Sequence, residues 1–355
     1  MSLEDLRRKI DEADAKIVRL IAERIRIAEE IGEEKRKQGK QIADAEREKI
    51  VLEGVKGLAR EENINQDDIE SIYRQIMTVA KSVEGLLVAF QGEIGAYSEE
   101  AAFNFFGSSI QVKPCESLDD VFRVVEQEEA QFGVVAIENS LEGTISRAYD
   151  LLLDSNLRVC GETELRVSHC LIANAGTRLD SVKKVYSHPQ ALGQCQAFLR
   201  HLNCELIPTY DTAGSAKMIK EKGITDGAAI ASTRAAGIYG MKILAKNIED
   251  NSNNFTRFFV IAEEDSPPSG NDKTSIVFSV KHRPGALYEF LNQLTSRNIN
   301  LTKIESRPTR QKPWEYNFYL DFEGHREDKA TRETLDNLEK TSLFVKVLGS
   351  YPKAK

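Results

Sequence analysis

The N-terminal segment carries hydrophobic residues at the a and d positions of a heptad repeat. From residue 3 to about residue 36 there is no proline, and the pattern predicts one helix about 50 Å long at 1.5 Å per residue. Arg24 breaks the apolar seam, and a charge at such a position needs a partner or a bound anion. Lys35 returns to the face of Arg24, whereas Arg7 points about 100° away from it.

Two more helices are predicted after the first. One begins near residue 44, where three charged residues stand at i, i+3 and i+4 on one face: Asp44, Arg47 and Glu48. The other covers residues 67–83 and brings Ala80 and Glu84 onto a shared face. Because the first helix is too long for one small core, the three helices predict an intertwined helical dimer. Solvated helix faces with i,i+4 ion pairs are the alternative explanation for the charges.

Short apolar runs that alternate with helical stretches follow, and they predict an α/β region. Buried strands are predicted at residues 86–90, 133–137, 182–186 and 228–231. Each ends in polar residues at the start of a helix, where exposed N–H groups favour anionic ligands. The polar candidates are Ser98, Glu138, Asn139, Ser140, Thr144, Ser187, Gln190 and Gln194. Helix capping alone explains any one of these clusters.

The run at residues 254–260 places a hydroxyl and a guanidinium side by side in a segment that alternates like a buried strand. Such a strand holds its side chains rigidly. Thr256 is therefore predicted to be a proton or hydrogen-bond donor beside an anion-binding Arg257. An edge strand with both side chains in water is the alternative.

The C-terminal part begins with a stretch rich in Pro, Ser and Gly at residues 265–272, which predicts a linker. The pattern beyond it gives the order strand, helix, strand, strand, helix, strand. That βαββαβ order predicts an α+β, ferredoxin-like sandwich.

Composition narrows the function classes. The chain has 355 residues, 29% of them charged and 41% hydrophobic, which is enough for two or three domains. The net charge of -8 is spread without a basic patch, so nucleic acid is not expected as a partner, and an anionic substrate has to be captured by local Arg and Lys. No run approaches membrane-spanning length and the N-terminus is charged and amphipathic, so we expect a cytoplasmic protein with no membrane partner. The five cysteines lack zinc spacing, so no metal is expected.

The helical segment contains the motifs LRRKID at 6–11, AER at 22–24 and DAERE at 44–48, and in these it resembles the all-helical class of chorismate mutases. The resemblance implies a pocket to which one chain contributes Arg24, Lys35, Asp44, Arg47, Glu48, Ala80 and Glu84, and the other chain contributes Arg7. The rearrangement of chorismate to prephenate needs no nucleophile. It needs cations that hold two carboxylates and donors at the ether oxygen, for which Lys35 and Glu84 are the candidates. Two positions depart from the best-known pattern, because Ala80 replaces a Ser and Glu84 a Gln.

The middle region contains GAYSEEAA at 95–102, IENS at 137–140, SHPQA at 187–191, DTAGSA at 211–216 and NFTRF at 254–258, and it resembles prephenate dehydratase along its full length. The resemblance implies two α/β lobes, arranged as in periplasmic binding proteins, with the active site in the cleft. It makes Thr256 the donor to the departing C4 hydroxyl, with Arg257 nearby. It assigns the lining to Glu138, Asn139 and Gln194, with Ser98, Ser140, Thr144, Ser187 and Gln190 as further substrate-binding candidates. No metal or organic cofactor is implied, and arogenate is an alternative substrate.

The C-terminal segment contains RPGAL at 283–287 and ESRP at 305–308, and it resembles an ACT domain. The resemblance implies an inhibitory L-phenylalanine site at an interface between two subunits. Its residues are Gly285, Ala286, Leu287, Glu305, Ser306 and Arg307.

Together these features predict a multidomain chain with a helical mutase at 1–85, a dehydratase at 86–264, a linker at 265–272 and an ACT domain at 273–355. We expect a homodimer or higher homo-oligomer that converts chorismate to prephenate and then to phenylpyruvate under phenylalanine inhibition. One alternative is a prephenate or arogenate dehydratase whose helical segment serves only dimerisation. Another is an amino-acid-sensing protein that has lost catalysis.

Overall fold

The computed structural model describes residues 3–37, 45–83, 86–107, 110–309 and 315–354. The chain divides into two compact units. The first comprises Met1–Val88 with Phe106–Val112, and the second comprises Ala89–Phe105 with Lys113–Lys355.

The first unit contains the three helices predicted from the heptad pattern: α1 (Leu3–Lys37), α2 (Ala45–Glu61) and α3 (Gln66–Val83). Helix α3 packs against both α1 and α2. The apolar seam of α1 is not covered by this packing, since six of its residues remain between 43% and 64% exposed: Leu6, Ile10, Ile17, Leu20, Ile27 and Ile31. No helix in the described part of the chain is both long and apolar enough to cross a bilayer.

The second unit begins with a lobe built on a mixed sheet, which we call the first lobe. Its strands are β1 (Leu87–Gln91), β2 (Gln111–Cys115), β3 (Phe132–Asn139), β4 (Gly143–Thr144), β5 (Arg158–Arg166) and β11 (Phe255–Ala262). The order is β2-β1-β3-β11-β5, with β4 paired to β3, and β11 runs antiparallel to both of its neighbours. The helices of this lobe are α4 (Tyr97–Phe106), α5 (Leu118–Glu126) and α6 (Ser146–Asp154).

The second lobe is inserted between β5 and β11. Its five strands have the order β10-β6-β9-β7-β8 and are β6 (Cys170–Ala173), β7 (Lys184–Ser187), β8 (Glu205–Pro208), β9 (Gly227–Ala231) and β10 (Lys242–Lys246). Its helices are α7 (Pro189–Gly193), α8 (Gln196–Leu199), α9 (Thr212–Glu221) and α10 (Thr233–Ile238). Because the chain leaves the first lobe after β5 and returns with β11, two connections join the lobes, and the predicted two-lobed α/β architecture is confirmed.

The C-terminal domain has the predicted βαββαβ order. Its elements are β12 (Asp272–Ser279), α11 (Ala286–Thr295), β13 (Leu301–Pro308), β14 (Tyr316–Glu323), α12 (Lys329–Thr341) and β15 (Phe344–Pro352). The sheet order β13-β14-β12-β15 is that of a ferredoxin-like sandwich. Both helices cover one face of this sheet over a core that includes Phe278, Phe290 and Phe322.

The segment before β12 lacks helix and strand, as predicted, but it is anchored. The Ser266 hydroxyl donates to the Cys160 carbonyl at 2.6 Å, and Asp265 pairs with Arg326 at 2.8 Å. These contacts attach the segment to both the first lobe and the C-terminal domain.

The face of the C-terminal sheet that lacks helices packs on the first lobe. Tyr319 meets Tyr149 edge-on at 4.8 Å between ring centroids, and Tyr351 meets Phe259 at 5.5 Å. The backbones approach so closely at Gly349 that a Cβ there would overlap the backbone of Val159. Gly349 is therefore required by the close approach of β15 to β5.

A buried cluster of two cations and two anions spans the same interface. Arg257 of β11 pairs with Glu162 of the first lobe and with Asp321 of the C-terminal sheet, both at 2.6 Å, and Lys273 pairs with Glu162 at 2.7 Å. Burial opposes ionisation of Arg257, but Asp321, Tyr351 and Glu162 together raise its pKa above the ordinary value. The guanidinium is therefore always charged, and the cluster pairs two cationic side chains with two carboxylate side chains.

We expect Gly349→Ala to lower the free energy of unfolding by about 2 kcal/mol or more, because the new methyl group meets main chain that cannot move aside. Denaturant unfolding of the full chain measures the change. The matched control is Gly237→Ala in α10, where a Cβ meets no heavy atom within 4 Å. A Gly349→Ala protein as stable as the control would contradict the close packing of β15 on β5.

We expect Arg257→Ala to destabilise the chain by about 3–5 kcal/mol, because Asp321 stays buried without its cation. Arg178→Ala is the control, since Arg178 and Asp180 form an exposed ion pair whose loss should cost less than about 1 kcal/mol. The two variants are compared by urea titration. Equal losses would mean that the cluster does not anchor the C-terminal domain.

Candidate functional site

A cavity of about 800 Å³ lies between the two lobes of the second unit. The first lobe lines it with Glu93, Ala96, Tyr97, Ser98, Ala136, Asn139, Thr256 and Phe258. The second lobe and its connection line it with His169, His188, Gln190, Gln194, Tyr210, Asp211 and Thr212. Four residues predicted for the dehydratase site from scattered motifs thus meet here with Thr256: Ser98, Asn139, Gln190 and Gln194.

Thr256 lies opposite Asn139 in the β11–β3 register. The Asn139 amide nitrogen donates to the Thr256 hydroxyl at 3.0 Å and to the Asn254 side-chain oxygen at 2.7 Å. The Asn139 side-chain oxygen accepts from the backbone N–H groups of Leu141 and Glu142, which fixes the orientation of the amide. Because the Thr256 oxygen accepts from Asn139, its own proton is available to a group in the cavity.

The hydrogen-bond network continues from Asn254 into the second lobe. Asn254 donates to the side-chain oxygen of Gln194 at 2.8 Å, and Nε2 of His169 lies 3.0 Å from the same oxygen. Nδ1 of His169 lies 3.1 Å from the hydroxyl of Tyr97. One continuous network therefore joins β11, β3 and α4 of the first lobe to residues of the second.

Arg257 and Glu138 do not line the cavity, which corrects their prediction as site residues. Consecutive strand residues point to opposite faces, so the neighbours of Thr256 and Asn139 face the C-terminal domain. Arg257 enters the buried ion cluster, and Glu138 pairs with Lys303 of β13 at 2.7 Å. The β11–β3 register shifts between Arg257 and Phe258, and this irregularity lets Ala136 and Asn139 share the cavity face.

Three other predicted dehydratase residues also bond elsewhere. Ser140 is exposed, and its hydroxyl donates to the Asn253 carbonyl at 2.9 Å. Thr144 accepts from Lys303 at 3.2 Å and also bonds to Glu305. Ser187 is fully buried and donates to the Ile230 carbonyl at 2.8 Å. They support the walls of the site and its contact with the C-terminal domain, and they do not line the cavity.

No Arg or Lys is found among the described residues that line the cavity, contrary to the expectation that local cations capture the substrate. The lining includes the carboxylates Glu93, Glu116 and Asp211. Glu93 is compensated by Lys217 at 2.9 Å and accepts from the Tyr210 hydroxyl at 3.0 Å. Burial, together with this hydrogen bond to Glu93, raises the pKa of Tyr210 to about 12, so the phenol stays protonated.

Helix starts border the cavity, but their caps already use N–H groups there. Asp211 caps α9 by accepting from the Ala213 N–H, and His188 caps α7 by accepting from Gln190. Ser98 is the second residue of α4, which begins at Tyr97, so it does not cap that helix. The described lining therefore offers amide and hydroxyl groups to a carboxylate, in place of side-chain cations.

Sequence reasoning missed several residues of the site: His169, Tyr210, Asp211, Glu93 and Asn254. Asn254 precedes the strand that carries Thr256, and Asp211 opens a motif that had been interpreted only as a helix start. His169 lies in the connection between the lobes, where no periodic signal marks it. These residues come together because the cavity lies between two lobes whose residues are far apart in sequence.

The mutase candidates are placed only in part. Arg7 is exposed on α1. Arg24 is half-buried, and its Nη1 is buried without a hydrogen-bond partner among the described residues. The side chains of Lys35, Arg47, Glu48 and Ala80 lie outside the described residues, although their backbone positions are helical, and so do Asp44 and Glu84 entirely.

The effector candidates fall into two groups. Gly285 adopts φ 82° and is the N-cap of α11, with Ala286 and Leu287 in the first turn. On β13, Glu305 contacts Thr144 and Arg307 pairs with Asp150 at 3.0 Å, so both face the first lobe. Ser306 lies on the opposite, exposed face. The expectation that Glu305, Ser306 and Arg307 act on one ligand together is corrected by this alternation.

Comparison with known proteins agrees with these observations. Family models match for chorismate mutase type II at residues 6–85, prephenate dehydratase at 88–266 and the ACT domain at 274–340. The bifunctional chorismate mutase/prephenate dehydratase of Aquifex aeolicus is 41% identical over 99% of this chain and 98% of its own length.

Two further relatives each match about three quarters of this chain. Arogenate dehydratase/prephenate dehydratase 2 of Arabidopsis thaliana is 46% identical over 75% of this chain and 72% of its own length. The solved structure of prephenate dehydratase from Arthrobacter aurescens in complex with L-Phe is 31% identical, with a TM-score of 0.70, and covers 75% of this chain and 90% of that one. From its motifs, its fold and a full-length match of this kind, the chain belongs to the family of bifunctional chorismate mutase/prephenate dehydratases with an ACT domain.

Proposed function

We propose that this chain rearranges chorismate to prephenate in its helical unit, converts prephenate to phenylpyruvate in the cavity between the lobes, and is inhibited by L-phenylalanine. One observation carries the dehydratase assignment. The Thr256 hydroxyl accepts from Asn139, and its proton is therefore free to be donated into a cavity large enough for a C10 dicarboxylate.

The dehydratase reaction needs little more than this donor. As the ring carboxylate leaves as CO2, its electron pair enters the ring, the ring becomes aromatic, and the C4 hydroxyl leaves with a proton as water. Thr256 donates to that hydroxyl as charge develops on it. Other amide and hydroxyl groups of the lining, such as Gln190 and Ser98, serve the carboxylates, and Asn139, Asn254 and Gln194 hold the donor in place.

The mutase site is proposed at a two-fold interface between helical units. The exposed apolar seam of α1 fits a second copy of itself, and Nη1 of Arg24, which has no hydrogen-bond partner among the described residues, fits a substrate carboxylate. Lys35 and Glu84 are the candidate donors at the ether oxygen. Arg7, which lies about 100° around α1 from Arg24, serves the pocket of the partner.

Regulation is proposed for the C-terminal domain, with Gly285, Ala286, Leu287 and Ser306 as the residues that face L-phenylalanine. Glu305 and Arg307 lie on the opposite side of β13 and contact Thr144 and Asp150. We propose that these two residues pass the effect of the ligand to the first lobe.

Arogenate is a second candidate substrate, favoured by the acidic lining of the cavity. It carries an ammonium where prephenate has a keto group, and Glu93, Glu116 and Asp211 are suited to an ammonium. Assay of the purified protein on both compounds decides between them.

We expect Thr256→Val to lower the dehydratase kcat by about 10²- to 10⁴-fold, because the isosteric side chain cannot donate a proton. Thr256→Ser keeps the hydroxyl and is the matched control, which should stay within about tenfold of the wild type. Phenylpyruvate formation from prephenate is measured, and mutase activity reports on folding. A Thr256→Val enzyme with wild-type kcat would remove Thr256 from the mechanism.

We expect Arg7→Ala and Arg24→Ala each to abolish mutase activity, and a mixture of the two to regain about a quarter of it after subunit exchange. Half of the dimers are then mixed, and each mixed dimer has one intact pocket. The control is a mixture of Arg24→Ala with Arg47→Ala, which should regain no activity, because both residues of a pocket come from one chain and each pocket of a mixed dimer then keeps one lesion. No recovery from the Arg7 and Arg24 pair, despite exchange, would place Arg7 in the pocket of its own chain.

We expect the mutase rate to fall with rising pH as Glu84 loses its proton, because only the protonated carboxyl can donate to the ether oxygen. Glu84→Gln keeps a donor at every pH, so its pH profile should be flat over the range in which the wild-type rate falls. Initial rates of chorismate loss between pH 5 and pH 9 test this, and parallel profiles in the two proteins would refute the assignment.

A further inference from the structure

We propose that His169 is a positioning residue for the dehydratase reaction: as a neutral imidazole protonated on Nε2, it fixes the hydrogen-bond network that aims the Thr256 hydroxyl into the cavity. The inference rests on the proposed dehydratase function and adds a residue and a protonation state to it.

The orientation of each group in the network follows from one backbone turn. The N–H groups of Leu141 and Glu142 donate to the side-chain oxygen of Asn139 at 3.0 and 3.1 Å. The amide nitrogen of Asn139 must therefore point the other way, toward Thr256 and Asn254. Three acceptors surround that nitrogen, the Asn254 oxygen at 2.7 Å, the Thr256 oxygen at 3.0 Å and the Phe255 carbonyl at 3.2 Å, and its two hydrogens serve the nearer two.

The same reasoning reaches His169 in two more steps. Because the Asn254 oxygen accepts from Asn139, the Asn254 nitrogen faces Gln194 and donates to its oxygen at 2.8 Å. That oxygen is also 3.0 Å from Nε2 of His169. An oxygen cannot donate, so Nε2 must carry the proton.

The surroundings of the ring keep it in this form. His169 is 2% exposed, and its burial lowers the pKa of the imidazole, so the ring is neutral near pH 7 with its single proton on Nε2. On the other side, the Tyr97 hydroxyl donates to the Ser168 carbonyl at 2.7 Å and lies 3.1 Å from Nδ1, so the Gln194 contact, and not Tyr97, determines which nitrogen carries the proton. The backbone N–H of His169 donates to Glu249 at 3.0 Å and anchors the residue between the lobes.

The Nε2 proton of His169 affects how the Thr256 hydroxyl is oriented. Without the Nε2 proton, the Gln194 oxygen loses one of its two donors, and the amides of Gln194 and Asn254 can rotate, while the Leu141 and Glu142 N–H groups still hold Asn139. A rotated Asn254 no longer accepts from the Asn139 nitrogen, so the hydrogen bond from Asn139 to Thr256 loses the neighbour that aligns it. His169 thus acts through Thr256 on kcat more than on substrate binding.

The test compares two substitutions by steady-state kinetics on prephenate. His169→Phe keeps a ring against Tyr97 but has no donor, and we expect its kcat to fall about tenfold to a hundredfold with little change in KM. His169→Gln places an amide N–H near the position of Nε2, and we expect it to recover kcat to within about threefold of the wild type. Loss of activity in both variants alike, or in neither, would overturn the proposal.

A double-mutant cycle separates action through Thr256 from an independent effect. In the Thr256→Val background, His169→Phe should cause almost no further loss of kcat, because the group that it positions is absent. Multiplicative losses would show that His169 does not act through Thr256. The near-UV circular dichroism and urea unfolding of each protein show whether its second unit is folded, and if His169→Phe does not fold, His169→Leu takes its place.

The protonation of His169 is measured in the wild-type protein by 15N NMR of the histidine-labelled full chain, which has five histidines. The His169 resonances, identified by their loss in His169→Gln, should show a neutral ring protonated on Nε2 at pH 7. A neutral ring protonated on Nδ1 would overturn the inference. Wild-type protein that does not turn over prephenate would instead refute the proposed function, so the two failures are distinguishable.

Discussion

The alternation of side chains along β11 is the constraint on which the second unit depends. Thr256 faces the cavity, and the next residue, Arg257, enters a buried cluster with Glu162, Asp321 and Lys273 that binds the C-terminal domain. Strand β3 repeats the arrangement, with Asn139 toward the cavity and Glu138 toward Lys303. The two faces of one pair of strands therefore hold the candidate catalytic donor and the anchor of the regulatory domain. The C-terminal sheet therefore contacts the residues next to Thr256 and Asn139.

The described lining of the cavity offers oriented hydrogen-bond donors and no side-chain cations. Its described lining has no Arg or Lys, so amide groups and hydroxyls are the hydrogen-bond donors that it offers. The cations nearby, Arg257 and Lys303, are used by carboxylates at the domain contact. The candidate reactive group is the Thr256 hydroxyl, whose oxygen accepts a hydrogen bond from Asn139 and whose proton can be donated. Helping a hydroxyl leave while a ring becomes aromatic requires little beyond that.

Much of the fold was predictable from the sequence because periodicity reports burial within one element. The three helices, the βαββαβ order and the strand that carries Thr256 were predicted close to their observed bounds. The site was predictable only where a motif marked it. The resemblance gave Glu138 a place in the lining and Arg257 a place nearby, whereas period-two geometry directs both to the face opposite Thr256 and Asn139. His169 carried no local signal, and Asn254, although it opens the NFTRF motif, was given no role, because its hydrogen bonds to Asn139 and Gln194 join residues far apart in sequence.

The central claim is that one chain carries both reactions in sequence under control of its C-terminal domain. The most direct measurement supplies the purified protein with chorismate alone and follows phenylpyruvate, with and without L-phenylalanine. The account predicts phenylpyruvate from chorismate, suppressed when L-phenylalanine is added. Accumulation of prephenate without phenylpyruvate would contradict the dehydratase assignment, and chorismate left unchanged while added prephenate is consumed would contradict the mutase assignment.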